Sequence, residues 1–190
     1  VLVKLELNIP GTRTRSLTET KESAINSVDI LVFDKDENFF DWRTGNMVTT
    51  GEGSVVEAML VQSNPLDNND KYRLVVMTNC RQILYNLFAG TNNSVNKPGG
   101  DDLNGHKGSP YATVMPLIKA DAPATTADLG DGIPMWGEYD SPLTISQGTT
   151  FPSLTLIRSL ARVDVGTYKG TIPAAGVDNW TALDNFSLQE

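Results

Sequence analysis

Cysteine and histidine are almost missing from this 190-residue chain, which has one of each, Cys80 and His106. A lone cysteine excludes an internal disulfide and a cysteine-rich structural zinc site. A single histidine with no identifiable partner supplies neither a catalytic triad nor a metal centre. Basic residues are also in deficit, with 15 Lys and Arg against 23 Asp and Glu, so the net charge is -8. The basic side chains are dispersed, and a nucleic-acid surface, which needs them clustered, is not expected; acidity here serves solubility. No apolar run approaches the roughly 20 residues of a membrane-spanning helix, and no charged-then-apolar leader is present. Glycine-rich phosphate loops, HExxH and serine-centred elbows are absent too, so neither a cofactor nor catalysis is expected.

What the chain has instead is strand pattern. With 39% apolar residues it has the material for one sizeable core, or for one domain and part of another. Val1, Val3, Leu5, Leu7 and Ile9 alternate with Leu2, Lys4, Glu6 and Asn8, the period-2 signature of an amphipathic strand, which Pro10-Gly11 stops. The polar segment Thr12 to Glu22 that follows reads either as an ordinary loop or as one whose Arg13 and Arg15 a trypsin-like protease can grip. Val28 to Phe33 is a buried-strand run, closed by a turn over Asp34 to Asn38. The Asp-x-Asp-x-Asn spacing of that turn fails as a calcium loop. Phe39 stands where the sharp turn needs glycine, and Gly45 where the bidentate glutamate belongs.

Phe39 to Trp42 can form a hairpin partner, Ser54 to Val61 another strand, and Tyr72 to Asn79 a second central strand. Ile83, Leu84, Leu87 and Phe88 recur at helical spacing, which predicts a short helix capped by Asn79 and ended by Gly90. Cys80, with no histidine, lysine or second cysteine beside it, reads as an inert small apolar residue. Between Thr91 and Asp131 the chain is rich in Asn, Gly, Asp and Pro, which predicts surface excursions with His106 exposed among them.

In the knot Ile133 to Glu138, Trp136 reads either as a core plug or as a sugar-stacking platform. Glu138 and Asp140, two apart on an irregular segment, do not make a glycosidase pair. The longest strand-like run is Leu154 to Val165. From Leu156 onward one parity collects Leu156, Arg158, Leu160, Arg162 and Asp164, and the other collects Ile157, Ser159, Ala161, Val163 and Val165, which is expected to be the drier face. The charged parity suits a solvated sheet face, or an anion-binding arginine pair. Six or seven strands, turn signals and one helix predict an all-β antiparallel sandwich with long loops.

Four segments taken in order resemble the fimbrillins, the type V pilins of Bacteroidales surface fimbriae. They are the first strand ending in Ile9-Pro10-Gly11-Thr12 with the arginines and Leu17 after it, Val28 to Asp34, Tyr72 to Asn79, and Pro134-Met135-Trp136-Gly137-Glu138 leading to Arg158 through Asp164. The resemblance implies a transthyretin-like β-sandwich and a lipoprotein precursor carried to the outer membrane. It also implies that an Arg-specific protease cuts the loop after the first strand, and that a strand from another pilin subunit fills the vacated groove. Carried onto this chain, cleavage falls at Arg15-Ser16, with Arg13-Thr14 as second choice, and Val1, Val3, Leu5, Leu7 and Ile9 are the plugs the incoming strand replaces. On this view residues 1–150 are the N-terminal pilin domain, with 1–9 displaceable, and residues 151–190 are its last strand and the start of a truncated C-terminal domain. The implied function is that of a non-enzymatic structural subunit of a fimbrium at the cell surface, attached to membrane only through a lipid anchor on the precursor. The alternative is a surface lipoprotein module that binds glycan or host ligand through Trp136 and the Thr91 to Asp131 loops.

Overall fold

The computed structural model describes residues 2–8, 24–50, 53–60, 71–89, 103–119, 132–139, 141–159, 166–168 and 180–182. The chain forms two compact units, Val1–Ser159 and Leu160–Glu190. In the second, strands Gly166–Tyr168 and Trp180–Ala182 pair antiparallel as a two-stranded sheet.

Among the described residues the first unit is all-β with two short helices. Its strands in chain order are β1 (Leu2–Asn8), β2 (Val28–Phe33), β3 (Phe39–Thr50), β4 (Gly53–Met59), β5 (Lys71–Thr78), β6 (Met135–Glu138), β7 (Leu143–Thr144), β8 (Thr150–Thr155) and β9 (Ile157–Arg158). Helices α1 (Arg81–Phe88) and α2 (Tyr111–Val114) lie between β5 and β6 in sequence. The strands make one sheet in the order β8-β1-β4-β3-β2-β5-β6-β9, with β7 alongside the start of β5. Pairing among these strands is antiparallel except between β1 and β8, which run parallel, so the sheet is mixed.

The run Val28 to Phe33 carries little polar alternation because β2 is covered on both faces. Val28, Ile30 and Val32 enter an inner core with Val3, Leu5 and Tyr72. Leu31 and Phe33 face an outer core with Phe39, Trp42 and Phe88. Helix α1 roofs the outer core: Leu84 and Phe88, four residues apart and so on one helical face, are fully buried. Phe88 meets Phe39 at 4.8 Å and Trp42 at 6.1 Å between ring centroids.

The expected helix therefore forms, but not the expected cap. Cys80 occupies the N-cap without a side-chain capping bond, while Asn79 turns left-handed at φ 57. The Asn79 side chain accepts the Asn26 N–H at 2.8 Å and donates to the carbonyls of Ala24, at 2.8 Å, and Ile133, at 2.9 Å. It joins two distant stretches rather than serving the helix.

Part of the Thr91 to Asp131 stretch is core, against expectation: Leu103 and Val114 are buried in the outer cluster. His106 is half-buried rather than exposed, edge-on to Phe88 at 5.7 Å.

β8 and β9 stand at opposite ends of the strand order, yet one residue, Leu156, joins them. The sheet must curl until its ends meet, which makes it nearly barrel-like. The predicted single strand from Leu154 is thus interrupted, and its dry face is reversed. Leu154 and Leu156 point into the inner core at 5% and 0% exposure, whereas Ile157 is 57% exposed. Val163 and Val165, which weighted the other parity, lie outside the described residues, as do Arg162 and Asp164.

Candidate functional site: the slot of the first strand

Alternation in β1 does what period-2 patterning dictates. Val3, Leu5 and Leu7 are buried in the inner core, while Lys4 and Glu6 are exposed. Val1 and Ile9, the outermost predicted plugs, lie outside the described residues, as do the cleavage candidates Arg13, Thr14, Arg15 and Ser16. Burying three aliphatic side chains of this size contributes on the order of 2 kcal/mol each.

The strand is held from both sides. Against β4 it pairs antiparallel, with Val3 opposite Ala58 and Leu5 opposite Val56. Against β8 it pairs parallel, with Leu5 beside Phe151 and Leu7 beside Leu154 and a register shift between them. Ala58, Val56, Phe151 and Leu154 are all buried, so the slot has an apolar floor and two hydrogen-bonding walls. Its entrance is fixed by the turn before β8. The Leu2 N–H donates to Gln147 Oε1 at 3.2 Å, Gly148 N–H donates to the Leu2 carbonyl at 3.0 Å, and Lys4 N–H donates to the Thr149 carbonyl at 3.0 Å. On the outer face, Lys4 Nζ lies 2.9 Å from Glu57 Oε1. β8 bears Pro152, tolerated because β1 is the strand paired with β8.

Such a slot can do one thing chemically. If β1 leaves, two strand edges and three apolar sites are exposed together, and any extended segment with matching alternation can repair both losses at once.

The remaining candidates are structural. Trp136 is half-buried and packs against the outer core, which fits a plug better than a platform. Glu138 is taken up by a network: Arg73 donates to both of its oxygens at 3.1 Å, and Tyr111 OH donates to Oε2 at 2.8 Å. Arg73 also donates to Glu37 at 2.8 Å and lies 3.7 Å over the Tyr111 ring. Asp140 lies outside the described residues. Asp34 Oδ1 accepts the N–H groups of Asp36 and Asn38, both at 2.9 Å, closing the turn with its own backbone. Among the described residues no cluster of three or more His, Cys, Asp or Glu could hold a metal ion. Cys80 is buried, and burial foremost, with Asp29 adding, pushes its thiol up to about 11, which keeps it protonated and unreactive.

Two constellations were not foreseen from the sequence. One is the Arg73–Glu138–Tyr111–Glu37 network, whose members are scattered along the chain. The other is Asp29, which is wholly buried and accepts from Trp42 Nε1 at 3.1 Å and Arg81 Nε at 3.1 Å. A lone charge inside the apolar run Val28 to Phe33 was the available signal for it.

No protein-family model matches the chain, and no curated protein matches it. Among solved structures, the chain is similar to a fimbrial assembly protein from Parabacteroides distasonis ATCC 8503. Identity is 21% and the TM-score 0.47, over 83% of this chain and 53% of that one. The chain spans about half the length of that protein.

Proposed function

We propose that this protein is a structural, non-enzymatic subunit of a cell-surface fimbria, and that it joins its neighbours by exchanging β1 for a strand of another pilin subunit. The observation that carries this reading is the seating of β1. Its three described plugs fill the inner core, both its edges are paired, and the arginine-bearing segment 12–22 follows it directly. The ordered set of fimbrillin-like segments supports the same reading. A precursor carrying a lipid anchor would deliver the subunit to the outer membrane. An Arg-specific protease, cutting at Arg15-Ser16 or else at Arg13-Thr14, would free β1, and the incoming strand would re-pair β4 and β8.

The second reading, a module that binds a glycan or host ligand, draws little from Trp136, because that ring is half-buried against the outer core.

Limited digestion with an Arg-specific protease, followed by mass spectrometry and an unboiled SDS gel, tests the proposal. Cleavage after Arg15 with ladders of SDS-resistant oligomers is the expected result. Resistance throughout residues 12–22, with the protein remaining monomeric, would count against strand exchange and in favour of a ligand-binding module.

A further inference from the structure

Building on that reading of β1 as replaceable, we infer that the slot does not accept any alternating apolar strand. It selects an incoming segment by register and charge, through Gln147 and Glu57. The preferred occupant is an extended segment that runs antiparallel to β4 and parallel to β8, with apolar residues at the Val3, Leu5 and Leu7 sites and a lysine or arginine between the first two.

Apolar alternation alone leaves the register open, because a slip of two residues returns every plug to the same face. Something else must therefore set the register, and the structure offers two such groups at the slot's entrance. Gln147 Oε1 takes the Leu2 N–H at 3.2 Å, a bond made by a side chain to one particular backbone position. A segment slipped by two residues keeps an N–H there only if it extends that far. Two residues further in, Glu57 on β4 stands opposite position 4 and pairs with Lys4 at 2.9 Å. When β1 leaves, Glu57, whose side chain is 32% exposed, loses that cation. A segment that places a cation at this point restores the pair, whereas an acidic residue there faces Glu57 across neighbouring strands, which is unfavourable. The two groups act at positions 2 and 4, in the same half of β1, so together they mark one end of the slot and hence a direction as well as a register. An ion pair this exposed contributes modestly, and its expected effect on binding is roughly two- to fivefold.

The test uses the full chain, nicked within residues 12–22 at an inserted protease site so that the outcome does not depend on Arg15, with both fragments retained. Fluorescent peptides of the sequence of residues 1–9 are added in excess, and the exchanged fraction is followed by anisotropy. One peptide is unaltered, one carries Lys4→Glu, and each is tried on wild-type protein and on Glu57→Gln and Gln147→Ala variants. We expect Lys4→Glu to weaken the peptide two- to fivefold on wild type and to have no effect on Glu57→Gln. We also expect Gln147→Ala to narrow the advantage of the unaltered peptide over one shifted by two residues, and Gln147→Ala combined with Glu57→Gln to abolish it. Equal binding of both peptides to wild type, or the same loss on Glu57→Gln, would overturn the selection inference while leaving strand exchange intact. Failure of the unaltered peptide to exchange into a nicked chain that keeps its β circular dichroism would overturn strand exchange itself, and the selection inference with it.

Discussion

Asp29 sets the cost of placing a charge in a strand that is covered on both faces. Its carboxylate is fully buried, and burial raises its pKa above 3.8 against the opposing pull of Arg81 and Trp42. The folded protein therefore takes up a proton on Asp29 more readily than the unfolded chain does. Its contribution to stability is complete below pH 3.8 and declines as pH rises through the higher folded-state value. Asp29→Asn keeps an acceptor for Trp42 Nε1 and removes the buried charge. Its urea midpoint relative to wild type is thus expected to improve between pH 4 and pH 7; a relative decline over that interval would mean that the Arg81 attraction outweighs burial. Asp29→Ala instead strands the buried indole N–H and is expected to cost about 1–3 kcal/mol. At this scale the sequence was half legible. The charge was visible inside its apolar run, but Arg81, 52 positions away, was not, because a partner brought in by a helix leaves no local pattern. Asn79 misled for a related reason. Its type suits a helix cap, yet three tertiary bonds to two distant segments outweigh the local one.

Among the elements, β1 and β2 were the most legible, since burial on one face or on both imposes its own periodicity. The short helix was legible from the same logic, through Leu84 and Phe88. The run after Leu154 was not, because Leu156 carries the chain from one end of the sheet order to the other and no periodicity marks such a passage. β1 lets its two faces be compared within a single strand. Leu5 is 0% exposed, and Leu5→Ala leaves a cavity in the inner core worth about 2–5 kcal/mol. Glu6, on the opposite face and exposed, is expected to change stability by less than about 0.5 kcal/mol when replaced by alanine. Chemical denaturation measures both. In a chain nicked after residue 12, only Leu5→Ala is expected to speed release of the first strand on a size-exclusion column. Equal effects from the two substitutions would mean that β1 is held by its backbone pairing rather than by its plugs.

For the first unit as a whole, the all-β class was legible from strand count and turn signals, whereas the curling of a single mixed sheet was not. Curling depends on which strands end up adjacent, and the parallel neighbours β1 and β8 are separated by nearly the whole unit. One point where β6 and β8 come close is Gly137 on β6, where an added Cβ would lie 2.8 Å from the Thr155 carbonyl oxygen at the end of β8. No side chain fits there without parting the two strands. A second tie lies beside it, from Tyr139 OH to the Pro152 carbonyl at 2.9 Å. Gly137→Val should therefore open the sheet locally rather than unfold it, because β2, β3 and β5 keep both of their cores. Amide hydrogen exchange is expected to show faster exchange in β8 and in the β1 N–H groups that β8 accepts, with protection in β2 and β5 unchanged. Uniform loss of protection across all the strands would mean that closure at Gly137 holds the entire sheet together. In that case β1 could not be exchanged without unfolding its host, and the proposed assembly would have to proceed before the subunit finishes folding.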